Sequence, residues 1–136
     1  MNRYTLLLTF LLSLVSFPSL GVDFDDLVKR DGLYYEKFSN VPFTGKVTGG
    51  IQGSLKKGLR EGEWVYYHRN GQLHAKGTFK NGKEDGEWIL YHQNGHLDTR
   101  GTMRNGKKEG EWISYHRDGR LVGNLFYENG ELMLPP

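Results

Sequence analysis

Gly77 to Arg100 reads GTFKNGKEDGEWILYHQNGHLDTR, and the next stretch, Gly101 to Asn124, reads GTMRNGKKEGEWISYHRDGRLVGN. The two agree at 13 of 24 positions without a gap. A third copy precedes them: Gly53 to Lys76 reads GSLKKGLREGEWVYYHRNGQLHAK. A fixed period of this kind marks a repeat array, in which each unit buries its apolar side against its neighbours.

Every unit holds two turn signals. One set is Asn70-Gly71, Asn94-Gly95 and Asp118-Gly119; the other is Lys57-Gly58, Asn81-Gly82 and Asn105-Gly106. Asn-Gly and Asp-Gly suit two-residue type I′ turns, which need positive φ at both central residues. The segments between turns have strand length and are rich in Trp, Tyr, Val, Ile and Thr. Glycine recurs too often for a helix. The expected fold is all-β: an elongated antiparallel meander of repeated hairpins, with two strands in each 24-residue period.

Counting outward from a two-residue turn at Asn70-Gly71 sets His68 opposite Leu73, Tyr66 opposite Ala75 and Trp64 opposite Gly77. The same count sets Trp88 opposite Gly101, but Trp112 opposite Leu125. A tryptophan ring over a bare glycine covers backbone that has no side chain of its own. Alternation then places Trp64, Tyr66, His68, Leu73, Ala75 and Phe79 on one face. Trp88, Leu90, His92, Leu97 and Met103 continue that face if the intervening turn keeps parity, and Trp64, Trp88 and Trp112 are its expected core. Val65, Tyr67, Ile89, Tyr91, Ile113 and Tyr115 fall on the other, half-exposed face, mixed with His74, Lys76, Asp98 and Arg100. A glycine bulge in Lys83–Gly86 or Lys107–Gly110 would change the parity.

The chain divides into a leader (1–21), an N-terminal capping segment (22–52) and the array (53–136). The array comprises units 53–76, 77–100 and 101–124 and a partial unit, 125–136. In the leader, Arg3 precedes the apolar run Leu6 to Val15, and Ser19-Leu20-Gly21 offers small residues for cleavage before Val22, the pattern of a secretory signal peptide. The run is too short and too interrupted to span a membrane well, for which roughly 20 apolar residues are needed. The expected location is therefore periplasmic or secreted. In the capping segment, Asp23 to Arg30 reads as a short helix or arm, and Leu33 to Phe38 and Phe43 to Val47 read as strands.

The chain has no cysteine, so an exported form holds its sheet by packing alone. Loss of Arg3 with the leader reduces the 18 basic side chains to 17, against 16 acidic ones. So small an excess argues against nucleic acid, which selects a strongly basic stripe.

The run Asn-Gly-Lys-x-x-Gly-Glu-Trp-Ile-x-Tyr-His-x-Asn-Gly-x-Leu, as at Asn81 to Leu97, resembles the variant MORN repeat of bacterial proteins. Asp31-Gly32-Leu33-Tyr34-Tyr35 and Pro42-Phe43-Thr44-Gly45-Lys46-Val47 look like the lead-in found in that family. The resemblance covers about residues 31 to 134. It implies a ribbon of hairpins with a binding or scaffolding role, in a family whose members include antitoxin-like and membrane-associated proteins.

Residues with catalytic or metal-binding chemistry are arranged poorly for either. His68, His92 and His116 recur once per repeat, two strands apart at roughly 9–10 Å, whereas a zinc needs imidazoles within about 2.1 Å of the metal. They read instead as an amphipathic row beside the turns. Glu63, Glu87 and Glu111 are copied along the array, unlike a unique catalytic carboxylate in a cleft. No serine sits in a nucleophile elbow, and no Gly-Lys-Ser/Thr leads into a helix. No enzyme activity, metal or cofactor is expected. Lys56, Lys57, Arg60, Lys80, Lys83, Arg104, Lys107 and Lys108 gather near one set of turns, with Glu61, Glu84, Asp85 and Glu109 interleaved, which reads as a solvated edge more than a lipid-binding one. The expected function is protein binding in the cell envelope, through an aromatic ladder of Tyr67, Tyr91 and Tyr115. An antitoxin or immunity protein, and peripheral binding to anionic lipid, are the alternatives.

Overall fold

In the computed structural model, which describes residues 20–135, the array is a single long sheet. The strands are β1 (Val22–Asp23), β2 (Leu27–Arg30), β3 (Leu33–Glu36), β4 (Gly45–Thr48), β5 (Ile51–Lys56), β6 (Leu59–Tyr67) and β7 (Leu73–Lys80). They continue as β8 (Lys83–Tyr91), β9 (Leu97–Arg104), β10 (Lys107–Tyr115), β11 (Leu121–Glu128) and β12 (Glu131–Met133). From β4 to β12 each strand pairs antiparallel with the next, and β1 joins the far side of β4 in parallel. β2 and β3 form a separate hairpin. The proposed leader lies almost wholly outside the described residues. No helix among them is long and apolar enough to cross a membrane.

Asp23 to Arg30 is helical over a single 3-10 turn and otherwise extended. The turn, Phe24–Asp26, is capped by Asp23, whose carboxylate accepts from Asp25 N at 2.9 Å, and the chain then extends as β2. The extended form wins because Asp31-Gly32, with φ of 48° and 80°, folds β2 back on β3, so that Val28 pairs with Tyr35. The next predicted strands are shorter than expected. β3 ends at Glu36, before Phe38 turns left-handed at φ 66°, and β4 starts only at Gly45.

The two sets of turns differ. Lys57-Gly58, Asn81-Gly82 and Asn105-Gly106 have φ near 50° and 80° at the paired positions, as type I′ requires. At Asn70-Gly71, Asn94-Gly95 and Asp118-Gly119 only the glycine is left-handed. The loop there has three residues: Gly71 N bonds His68 O at 2.9 Å, and His68 N bonds Gln72 O at 2.8 Å. The Asn70 carboxamide accepts from Gln72 N at 3.0 Å and donates to Gln93 O of the next loop at 3.0 Å, so the side chain braces the turn while the Asn70 backbone keeps a negative φ.

That loop shifts the register by one residue, and a bulge between Tyr66 and Tyr67 shifts it back. Trp64 therefore still pairs with Gly77, Trp88 with Gly101 and Trp112 with Leu125. Within the bulge Tyr67 pairs with Leu73, and Tyr91 with Leu97. Leu73 and Leu97 thus belong to the tyrosine face, not to the tryptophan face on which an uninterrupted count places them. At Lys83–Gly86 a bulge adds two residues, which preserves parity; the Thr78 hydroxyl donates to the Asp85 carbonyl left unpaired there.

The tryptophan rings lean away from the glycines that the count suggests for Trp64 and Trp88. A Cβ built on Gly53, Gly77 or Gly101 would collide with the ring of Trp64, Trp88 or Trp112 respectively. Each ring thus lies over the strand before its own, and the Trp112–Leu125 pairing leaves the stacking scheme intact. Val47, Leu55, Trp64, Phe79, Trp88 and Trp112 form the buried cluster.

Candidate functional site

The two faces of the sheet carry different chemistry. On the tyrosine face, Tyr67, Tyr91 and Tyr115 close strands β6, β8 and β10, each opposite a leucine: Leu73, Leu97 and Leu121. The ladder is therefore a Tyr–Leu stripe beside the three-residue loops. Tyr67 is exposed, and Tyr91 and Tyr115 are half-buried. Val65 and Ile89 pair with Lys76 on this face.

The histidines tie successive loops together. The Nε2 of His68 meets Tyr91 O at 2.9 Å, and that of His92 meets Tyr115 O at 2.8 Å. The acceptor is a carbonyl, so this nitrogen carries the proton. Among the described residues no group of three or more His, Cys, Asp or Glu side chains is placed to hold a metal.

The charged edge is sorted by parity. Glu61 accepts from Asn81 N at 2.6 Å, Asp85 from Asn105 N at 3.3 Å and Glu109 from Asn129 N at 2.8 Å. In the same turns Gly82 N, Gly106 N and Gly130 N bond the carbonyls of Arg60, Glu84 and Lys108. Three acids that read as solvated thus bind each turn to the repeat before it. Arg60, Glu84 and Lys108 lie four residues before each tryptophan, and their side chains join the tryptophan face.

Over the first unit that face is closed by the chain itself. Phe24 stands edge-on to Trp64 at 6.4 Å between ring centroids, and Tyr34 lies 5.7 Å from Phe24. The Arg60 guanidinium sits among five rings: Trp64 at 4.8 Å, Phe79 at 5.2 Å, Tyr34 at 5.3 Å, Phe24 at 5.5 Å and Tyr66 at 5.9 Å. It donates to the Tyr34 hydroxyl at 3.0 Å and the Tyr66 hydroxyl at 3.1 Å. Burial pushes the Tyr66 phenol above its ordinary value, opposed by Arg60 and reinforced by the Glu84 carboxylate, so the phenol stays neutral. Trp64 is left with 0% exposure.

Past β7 the cover stops. Between Trp88 and Trp112 the same face holds a groove of about 410 Å³, floored by Ala75, Leu90, Thr99 and Met103 and flanked by Glu84 and Lys108. Lys108 Nζ stands 4.6 Å from the Trp112 ring centroid and 4.9 Å from that of Tyr127. Glu84, half-buried, makes no ion pair with a described residue.

Against known families, the MORN repeat variant model matches residues 60–81, 84–105 and 108–129. The chain belongs to the MORN repeat variant family. No curated protein matches it. The three MORN matches begin at Arg60, Glu84 and Lys108, keeping the 24-residue spacing. A MORN array is consistent with a protein- or lipid-binding repeat module. The groove is not legible in the sequence because Arg60, Glu84 and Lys108 lie among the turn lysines. Their even spacing from the tryptophans was the available signal.

Proposed function

We propose that the mature chain is an exported, non-enzymatic MORN module that binds another protein of the cell envelope through the open half of its tryptophan face. One observation supports this site: the face is covered by the chain's own residues over Trp64 and left as a groove between Trp88 and Trp112. An apolar floor with a few charged groups at its rim is the usual composition of a binding surface. The leader motivates the location, and intact mass of envelope-fraction protein should show residues 1–21 removed.

Two folded variants separate the faces: Leu90→Lys with Met103→Lys in the groove, and the triple change of Tyr67, Tyr91 and Tyr115 to Ser. In pull-downs from envelope extracts, the groove variant should lose the partner and the tyrosine variant should keep it, both retaining β circular dichroism. The opposite result moves the site to the tyrosine ladder. A lipid-binding reading draws on the turn edge, where Lys57, Lys80, Lys83 and Lys107 are exposed and neighbouring acids bond turn amides. It requires salt-sensitive sedimentation with anionic vesicles. Rescue of a co-expressed toxin would instead mark an antitoxin.

A further inference from the structure

We propose that the groove beside Trp88 docks an extended segment of a partner protein that sets an aromatic ring against the tryptophan face and a basic side chain against Glu84. This rests on the groove being the binding site and adds the chemistry of what binds there.

The chain supplies its own template. Over Trp64 the covering segment brings an edge-on ring, Phe24, and a group complementary to the residue four positions before the tryptophan. That residue is Arg60, a donor, and the cover answers it with an acceptor, the Tyr34 hydroxyl at 3.0 Å. Phe24 comes from the 3-10 turn, and Tyr34 from the extended strand β3, which is anchored by the bond from Tyr34 N to Gly58 O, while Gly58 N bonds Phe43 O.

One repeat later the scaffold is the same and the sign is reversed. Glu84 takes the place of Arg60, beside Tyr66 and Trp88 at the groove wall. A carboxylate beside an apolar floor is strongly disfavoured once water is excluded, unless a donor or cation meets it. Lys108 does not fill that role, being engaged with the rings of Trp112 and Tyr127. An occupant that dries the groove therefore has to bring its own donor, as the cover over Trp64 brings its own phenol, and a cationic donor makes the strongest bond to a carboxylate. An acidic segment would place like charge against Glu84.

The probes are three short synthetic peptides titrated into the full-length mature chain: tyrosines alternating with lysines, the same with glutamates replacing lysines, and the same with alanines replacing tyrosines. The tyrosine–lysine peptide should bind best. Glu84→Gln should weaken it about tenfold, equivalent to about 1.4 kcal/mol. Glu84→Arg should transfer the preference to the tyrosine–glutamate peptide, and Glu87→Gln, on the other face, should leave binding unchanged. If Glu84→Arg fails to fold, the isosteric Glu84→Gln decides. Equal binding of the two charged peptides to the wild type, or binding indifferent to Glu84, overturns the proposal. If no peptide binds while Met103→Lys still abolishes partner capture, the site stands and this partner chemistry is wrong. A wild-type dimer in sedimentation that Met103→Lys dissociates assigns the groove to a second copy and also overturns it.

Discussion

At the scale of single residues, the contact between tryptophan and glycine holds successive strands together. Gly77 has no room for a methyl group, because Trp88 occupies the space where its Cβ would be. Gly77→Ala should destabilise the fold by about 1–3 kcal/mol, the usual cost of overpacking. Gly50→Ala is its control, since a Cβ there meets nothing within 4 Å and its φ is not left-handed; its urea midpoint should match the wild type. Trp88→Ala should cost about 3–5 kcal/mol, as for a large buried aromatic. Tyr91→Ala, at a half-buried position, should cost clearly less. If denaturant midpoints put Tyr91 first, the tyrosine face carries more of the core than its exposure indicates.

At the scale of elements, hairpins are joined by bonds from the end of one repeat to the start of the next. The acid before each Gly-Glu-Trp segment accepts a turn amide from the following hairpin, and the histidines at the first two three-residue loops, His68 and His92, reach a carbonyl across the next strand. Glu109→Ala leaves Asn129 N without its acceptor and should lower stability by about 1 kcal/mol, the net worth of such a bond. Because the loss is local, hydrogen exchange should quicken first at the Asn129-Gly130 turn and β12. Uniform acceleration across the sheet would show that the tie is not local. The type I′ turns were legible as Asn-Gly and Lys-Gly pairs. The three-residue loops were not, because the same dipeptide serves both turns, and the Asn70 side chain bonding Gln72 N selects between them.

At the scale of the whole molecule the array is asymmetric. One end is closed by β1, the β2–β3 hairpin and the Arg60 aromatic cluster. The other presents Leu121, Val122, Leu125, Phe126 and Leu132 to solvent, with Leu121 62% exposed. A repeat array gains stability from nearest-neighbour interfaces, so its less covered end opens first. Amide protection should therefore fall from β5 and β6 toward β11 and β12. Phe24→Ala should flatten that gradient by uncovering Trp64. A gradient of the opposite sense would show that the N-terminal cover contributes little to the array.

The period, the antiparallel order and the pairings of Trp64, Trp88 and Trp112 were determined by the sequence alone. Turn dipeptides recur at fixed spacing, and a strand alternates its side chains strictly, so local chemistry propagates to register. The three-residue loops leave that register unchanged at the tryptophans, because a compensating bulge returns the extra residue. Tertiary structure alone decided which neighbouring glycine each tryptophan ring covers, that the capping segment folds over the face as a hairpin, and that Arg60 joins Tyr34 across 26 residues of chain. Those outcomes depend on side chains meeting across strands and between sheets, where separation along the chain is no guide and the direction in which a ring leans is set by its neighbours in space.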